Sequence, residues 1–278
     1  MKTPDAETEE IEIQLLLEAL YRKYHHDFRD YSPASIKRRL VQARELFECG
    51  TFSQLQNRLL HEPEVVGRLL PTLTVQVSDM FRDPSYFRAL RENVIPHLKT
   101  YPSLKVWIAG CSAGEELYSM AILFREEGLE SRTIFYATDI NGEALEKARA
   151  GVYELDRVAQ FTENHRRSGG KSSLSDYYTT GYGFAKFDPS LRQRAVFSDH
   201  SLVSDEVFAE TQLVSCRNVL IYFNRDLQDR AIGLFKDALV RKGFLGIGSK
   251  ESLRFSAHAA AFMEFDREQR IYQKGGLA

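Results

Sequence analysis

The stretch KVWIAGCSAGEE, residues 105–116, decides how the rest of the chain is read. It begins as a short apolar run of strand character. Gly110, Cys111, Ser112, Ala113 and Gly114 then make a loop of small residues, and a helix opens at Glu115. Downstream, TIFYAT (133–138) and QLVSC (212–216) repeat the strand pattern, and residues 244–248 and 269–272 read as late strands. Helical periodicity fills residues 115–127, 142–150 and 226–240 between them. Alternating strand and helix requires parallel pairing with crossover helices. The expected class is therefore α/β: an open, twisted, parallel sheet with helices on both faces, Rossmann-like in architecture.

The chain before this stretch has another character. Residues 10–24 carry Ile11, Leu15, Leu16, Ala19 and Leu20 at helical spacing. Ser32-Pro33 predicts a helix start, with Ser as N-cap and Pro at the first helical position. That helix has Ile36, Leu40, Ala43 and Phe47 on one stripe and Lys37, Arg38, Arg39 and Arg44 on the other face, and Cys49-Gly50 ends it. Residues 52–60 and 64–70 are further helices, closed by Pro71. Between 151 and 197 the periodicity fades; Gly169-Gly170, Gly181 and Gly183 mark turns, and Tyr177, Tyr178, Tyr182, Phe184 and Phe187 predict short antiparallel pieces. The expected organisation is a small all-α domain over 1–71, a linker over 72–85, and an α/β domain over 86–278 with a small antiparallel β-subdomain inserted at 151–197.

Of 278 residues, 43% are hydrophobic and 27% charged, which excludes a disordered or collagen-like chain. Lys plus Arg (37) against Asp plus Glu (39) leaves a formal charge of −2, so a general nucleic-acid binder is disfavoured. Cys49, Cys111 and Cys216 lack the short spacings of a zinc site or a disulfide framework, so no metal is expected. The acidic start MKTPDAETEEIEIQ is no targeting segment, and no apolar run nears the roughly 20 residues that cross a bilayer. The expectation is a reduced, cytoplasmic monomer without membrane insertion.

Ligands of open α/β sheets sit beyond the carboxyl ends of the strands. The small loop there lacks the GxGxxG spacing of dinucleotide binders, and it sets Glu115 and Glu116 at a helix N-terminus, where a pyrophosphate would otherwise lie. The plain alternative is that both carboxylates only favour the helix dipole. Asp139 follows the second strand, where an acidic residue holds ribose hydroxyls; its plain alternative is an N-cap. Arg217, Asn218 and Tyr222 follow the third strand, Tyr222 being alternatively a core residue with its hydroxyl satisfied. A nucleoside-shaped site with carboxylates and no phosphate cradle suits S-adenosylmethionine, which carries a sulfonium and an ammonium.

With these residues in view, the chain resembles the chemotaxis receptor methyltransferases of the CheR type. The resemblance rests on VSDMFRDPSYF, VWIAGCSAGEELYSMAI, ATDINGEALEKARAGVY, VSCRNVLIYFN and GFLGIGSKESL, in that order over nearly the whole chain. It implies an S-adenosylmethionine-dependent methyltransferase domain with a small β-subdomain behind a helical domain, and protein-glutamate O-methyltransferase activity. It further implies cofactor contacts at Gln76, Ser78, Arg82, Gly110, Glu116, Asp139, Ser201, Leu202, Arg217 and Asn218. The chain departs from the family pattern at Gln76, Ser78 and Ser201, and Leu117 stands where a proline is common.

The nucleophile so implied is a substrate glutamate carboxylate, ionised at neutral pH with an ordinary pKa of about 4.3, so no general base is needed. Catalysis then rests on alignment, worth up to about 7–11 kcal/mol. The resemblance makes Arg82 and Tyr222 the orienting pair. It also makes Lys37, Arg38, Arg39 and Arg44 a docking face for the acidic helical bundle of a chemoreceptor, the alternative being an ordinary solvated face. Competing functions are a module that binds the cofactor without catalysis and a nicotinamide-dependent oxidoreductase.

Overall fold

A computed structural model describes residues 4–74 and 78–275. The chain separates into two compact units. The first takes residues 4–74 and 221–230. Its helices are α1 (Pro4–Tyr24), α2 (Pro33–Leu46), α3 (Phe52–His61) and α4 (Glu64–Leu73). α1 packs on α3 and α2 on α4, around buried Leu16, Leu20, Leu40, Leu55 and Leu69. Thr51 caps α3, its side chain accepting the Gln54 N–H at 3.1 Å. Two local expectations differ. The Ser32 side chain makes no capping bond; instead its N–H donates to the Tyr222 carbonyl at 2.8 Å. Pro71 lies inside α4 rather than closing it. In a last turn the missing N–H costs one hydrogen bond, and the Thr74 N–H still reaches the Leu70 carbonyl at 3.0 Å.

The second unit takes residues 78–220 and 231–275. It opens with α5 (Pro84–Ala89), a π-helical turn (Leu90–Val94) and α6 (Ile95–Leu98). There follow β1 (Leu104–Ala109), α7 (Glu115–Glu126), β2 (Thr133–Asp139), α8 (Gly142–Ala150), β3 (Val152–Glu154), α9 (Val158–Arg167), β4 (Tyr178–Gly181), β5 (Phe184–Phe187), β6 (Ala195–Asp199) and β7 (Thr211–Cys216). α10 (Arg225–Ala238), β8 (Leu239–Ile247), β9 (Phe262–Asp266) and β10 (Ile271–Lys274) complete the chain's elements. The main sheet has seven strands in the order β6-β2-β1-β7-β8-β10-β9. β3, β5 and β4 form a separate three-stranded antiparallel sheet.

The sheet is mixed, which corrects the expectation of an all-parallel one. β6, β2, β1, β7 and β8 run parallel, whereas β10 returns antiparallel on β8 and β9 antiparallel on β10. The insertion expected over 151–197 also ends earlier in the structure, because residues 195–197 belong to β6 of the main sheet. β1 sits in the middle of the five parallel strands and is buried on both faces; its Trp107 indole donates to the Thr138 hydroxyl at 2.8 Å and lies edge-on to His200, Phe208 and Phe235. Among the described residues no helix is long and apolar enough to cross a membrane.

Candidate cofactor site at the strand tips

The loop between β1 and α7 turns on Gly110, at φ +73°. A Cβ there would lie 2.5 Å from a Val219 methyl, so only glycine fits both the left-handed backbone and the space. The Gly110 and Cys111 N–H groups both donate to the Thr138 carbonyl, at 2.8 and 2.9 Å, fastening the loop to the tip of β2. There, half-buried Asp139 accepts the Ser112 N–H through one oxygen and the Asn141 N–H through the other, each at 2.9 Å. Burial pushes the Asp139 carboxyl above its ordinary pKa, against backbone N–H bonds from Asn141, Ser112 and Ile140 that pull it down. The N-cap of α8 is Asn141, whose side chain accepts the Ala144 N–H, so Asp139 is left for another task.

Glu116, in the first turn of α7, accepts from the Ser215 hydroxyl at 2.5 Å, and Ser215 shares a 2.9 Å hydrogen bond with the Tyr86 hydroxyl. Its other oxygen lies 3.4 Å from the Arg217 guanidinium. Arg217, its side chain 1% exposed, also donates to Asp83 at 2.7 Å and to the Arg82 carbonyl at 3.0 Å, and it stacks 4.1 Å over the Tyr86 ring. The segment carrying Arg82 is gripped along its backbone. Arg157 donates to the Ser78 carbonyl, Asn164 to the Met80 carbonyl at 3.0 Å, and the Phe81 N–H donates to Ser119 at 2.7 Å. These bonds hold Phe81 and Asp83 at φ 50° and 54°, a left-handed conformation costly for non-glycine residues. Glu115 is buried beside Arg157 at 3.0 Å; burial raises its carboxyl, and its Oε2 has no partner among the described residues.

Asn218 takes φ 61°, its N–H donates to Glu251 at 3.1 Å, and its buried Oδ1 has no partner among the described residues. The Ser201 hydroxyl caps its own turn, accepting from Val203 and Ser204 at 3.2 and 3.4 Å, and Leu202 is buried. Gln76 lies outside the described residues. Tyr222 belongs to the first unit, where the Arg39 guanidinium lies 4.5 Å over its ring. Arg39 corrects the expected docking face: it is 3% exposed and donates to the Leu73 carbonyl, so it is an interior residue of the helical unit. Lys37 and Arg38 are exposed, Lys37 lying 3.3 Å from Glu9, and half-buried Arg44 stacks 4.9 Å over Phe52. Asp83, Tyr86, Ser215 and Glu251 enter the site without having been singled out. All four lie inside the motif segments, but their partners are far away in sequence.

The donor set fits S-adenosylmethionine. Carboxylate oxygens at Asp139 and Glu116 keep spare lone pairs, and the Asn218 amide oxygen is an unused buried acceptor suited to N–H and O–H donors. The profile described as CheR methyltransferase, SAM binding domain, matches residues 76–269, and that of the CheR methyltransferase all-alpha domain matches residues 11–74. A Pseudomonas putida chain provisionally named methyltransferase Cher3 is 57% identical over 265 residues, 95% of this chain and 97% of its own length. A chemotaxis protein methyltransferase of Listeria innocua is 30% identical over 82% of this chain and 84% of its own. Chemotaxis protein methyltransferase 2 of Pseudomonas aeruginosa is 26% identical over 89% of this chain and 88% of its own.

Fold and site together define an S-adenosylmethionine-dependent methyltransferase. The chain belongs to the CheR methyltransferase family.

Proposed function

We propose that the chain methylates glutamate side-chain carboxylates of chemoreceptors, giving methyl esters for adaptation in chemosensory signalling. The observation that carries this reading is Arg217, which ties Glu116 of the cofactor site to the backbone of Arg82, the residue assigned to orient the substrate. Relatives named as chemotaxis protein methyltransferases support it.

Bound S-adenosylmethionine supplies a methyl group on a sulfonium, which an ionised carboxylate takes up as an ester, leaving S-adenosylhomocysteine. Asp139 would hold the ribose hydroxyls. Glu116, Arg217 and Asn218 would receive the amino-acid end, Gly110 would let the backbone approach, and Leu202 would pack on the base. Ser201 has spent its hydroxyl on its own turn and would contribute only position. Gln76 and Ser78, in the chain between α4 and α5, would contribute cofactor contacts. Arg82 and Tyr222 would align the substrate oxygen with the methyl carbon, and no group of this chain need remove a proton, since the carboxylate is already ionised. Lys37 and Arg38, with Arg44 at their margin, would meet the acidic bundle of the receptor in the cytoplasm. A module that only binds the cofactor is the competing reading.

Labelled methyl transfer to purified chemoreceptor cytoplasmic fragments tests both. The expected result is a base-labile ester whose labelled methyl group leaves as methanol on mild hydrolysis. Tight cofactor binding with no ester on any receptor fragment would favour the binding module.

A further inference from the structure

Between the segment 252–259 and the hairpin of β9 and β10 lies a pocket of about 410 Å³ whose charged lining is Arg254, Arg267, Arg270 and one acid, Glu264. Arg254 and Arg267 are exposed and Arg270 half-buried, and none of the three forms an ion pair among the described residues. Three guanidinium groups around one cavity repel each other, so the fold alone gives no reason to gather them. A bound acid does, and the planar forks of arginine suit carboxylates in pairs of hydrogen bonds. Phe255, 77% exposed, stands on the rim as an apolar anchor of the kind that contributes most at interfaces.

Chain connectivity links the pocket to the candidate cofactor site. Its wall begins at Ser252, directly after Glu251, whose carboxylate accepts the N–H groups of Gly248 at 2.6 Å and Asn218 at 3.1 Å. A substrate helix that presents one glutamate for methylation displays further side chains on the same face about 5–6 Å away at three or four positions along. We infer that this arginine pocket binds acidic side chains lying one or two helical turns from the methylated glutamate, and so selects which glutamate is methylated. The inference rests on the glutamate-methylating reading above. It adds a second contact to the substrate, separate from the docking helix.

The test uses the full chain, saturated with S-adenosylhomocysteine for binding or S-adenosylmethionine for turnover. The probes are two synthetic helical peptides, each with one central glutamate, flanked at one and two turns by Glu in one and by Gln in the other. For the Glu-flanked peptide, Arg267→Gln with Arg270→Gln raises KM and Kd about tenfold; for the Gln-flanked peptide both constants stay within twofold of wild type. S-adenosylhomocysteine affinity, measured by calorimetry, stays unchanged, which shows the variant folded. Equal response of the two peptides, or none, overturns the inference. If neither peptide is methylated, the binding constants still decide: a tenfold effect confined to the Glu-flanked peptide upholds the pocket while the proposed reaction fails. Pyrophosphate binding that depends on Arg267 and Arg270, without such dependence for the peptide, assigns the pocket to a phosphate ligand and overturns the inference.

Discussion

Helix α7 carries an acidic pair at each end, and the protein treats the two in opposite ways. At the C-terminal end, where the helix dipole disfavours negative charge, Glu126 and Glu127 are wrapped in cations. Arg91 reaches both, at 2.6 and 2.8 Å, Lys99 and Lys171 reach Glu127 at 3.1 and 2.6 Å, and the His165 ring lies 3.1 Å from Glu126. Burial alone would raise Glu126, but hydrogen bonds from His165, Ser172 and Arg91 outweigh it and hold the carboxyl at about 2. Glu127 is likewise held at about 2, by Lys171, Arg91 and Lys99 against burial. At the N-terminal end burial wins over its opponents and Glu115 is pushed up. Among the described residues, buried atoms without a partner are found there at Glu115 Oε2, Arg217 Nε and Asn218 Oδ1, and at the other end at Arg91 Nε. Charge that is fully answered holds a fold together, and charge left partly unanswered is available to a ligand.

Breaking either end should cost stability, but only one should cost ligand. Arg217→Ala takes from Glu116 and Asp83 the cation they share, and Glu126→Ala takes the acceptor from the His165 ring, the Ser172 hydroxyl and one Arg91 nitrogen, so each is expected to lower unfolding free energy by about 1–3 kcal/mol in urea titrations. Calorimetry with S-adenosylhomocysteine separates them: the affinity of Arg217→Ala falls at least tenfold, while that of Glu126→Ala matches wild type under conditions where both are folded. Loss of affinity in both would erase the distinction between the two ends.

Acid sharpens the same contrast at smaller amplitude. Glu126 and Glu127 have folded pKa values below their unfolded ones, so their contribution is present above about pH 4.5 and disappears as pH falls toward 2. Glu115, raised, works with the opposite sign: its contribution is present below the ordinary glutamate value and is lost as pH rises through its folded pKa. Urea midpoints measured from pH 6 to pH 3 should fall steeply in wild type and distinctly less in a Glu126→Gln, Glu127→Gln double variant; parallel profiles would remove the C-terminal cluster as the acid-sensitive element. The smallest effect concerns the surface. Lys37→Glu with Arg38→Glu should raise KM for a receptor fragment a few-fold at low salt and converge on wild type at high salt, since exposed charges are screened.

The centre of the sheet was legible in the sequence because β1, β2 and β7 are buried and apolar, and the small loop after β1 announced a ligand site. The sheet's edges were not. β6 has no fully buried residue and β9 only Phe262, so neither shows the alternation that marks a half-buried strand, and the antiparallel return at β9 and β10 went unread. Of the candidate site, the placing of Asp139, Glu116, Arg217 and Asn218 near the strand ends was readable because each follows a strand or loop whose direction was clear. Ser215, Tyr86, Asp83 and Glu251 were not, because their roles come from contacts between segments distant in sequence. Arg39 misled for a related reason: its neighbours Lys37 and Arg38 are solvated, and only the packing reveals that its guanidinium lies on the Tyr222 ring.

A crystal structure with S-adenosylhomocysteine bound measures the central claim most directly. It should show the product beyond the tips of β1, β2 and β7, its ribose on Asp139 and its amino-acid end beside Glu116 and Asn218. Product bound elsewhere, or the same crevice filled by side chains of the protein in the complex, would contradict it.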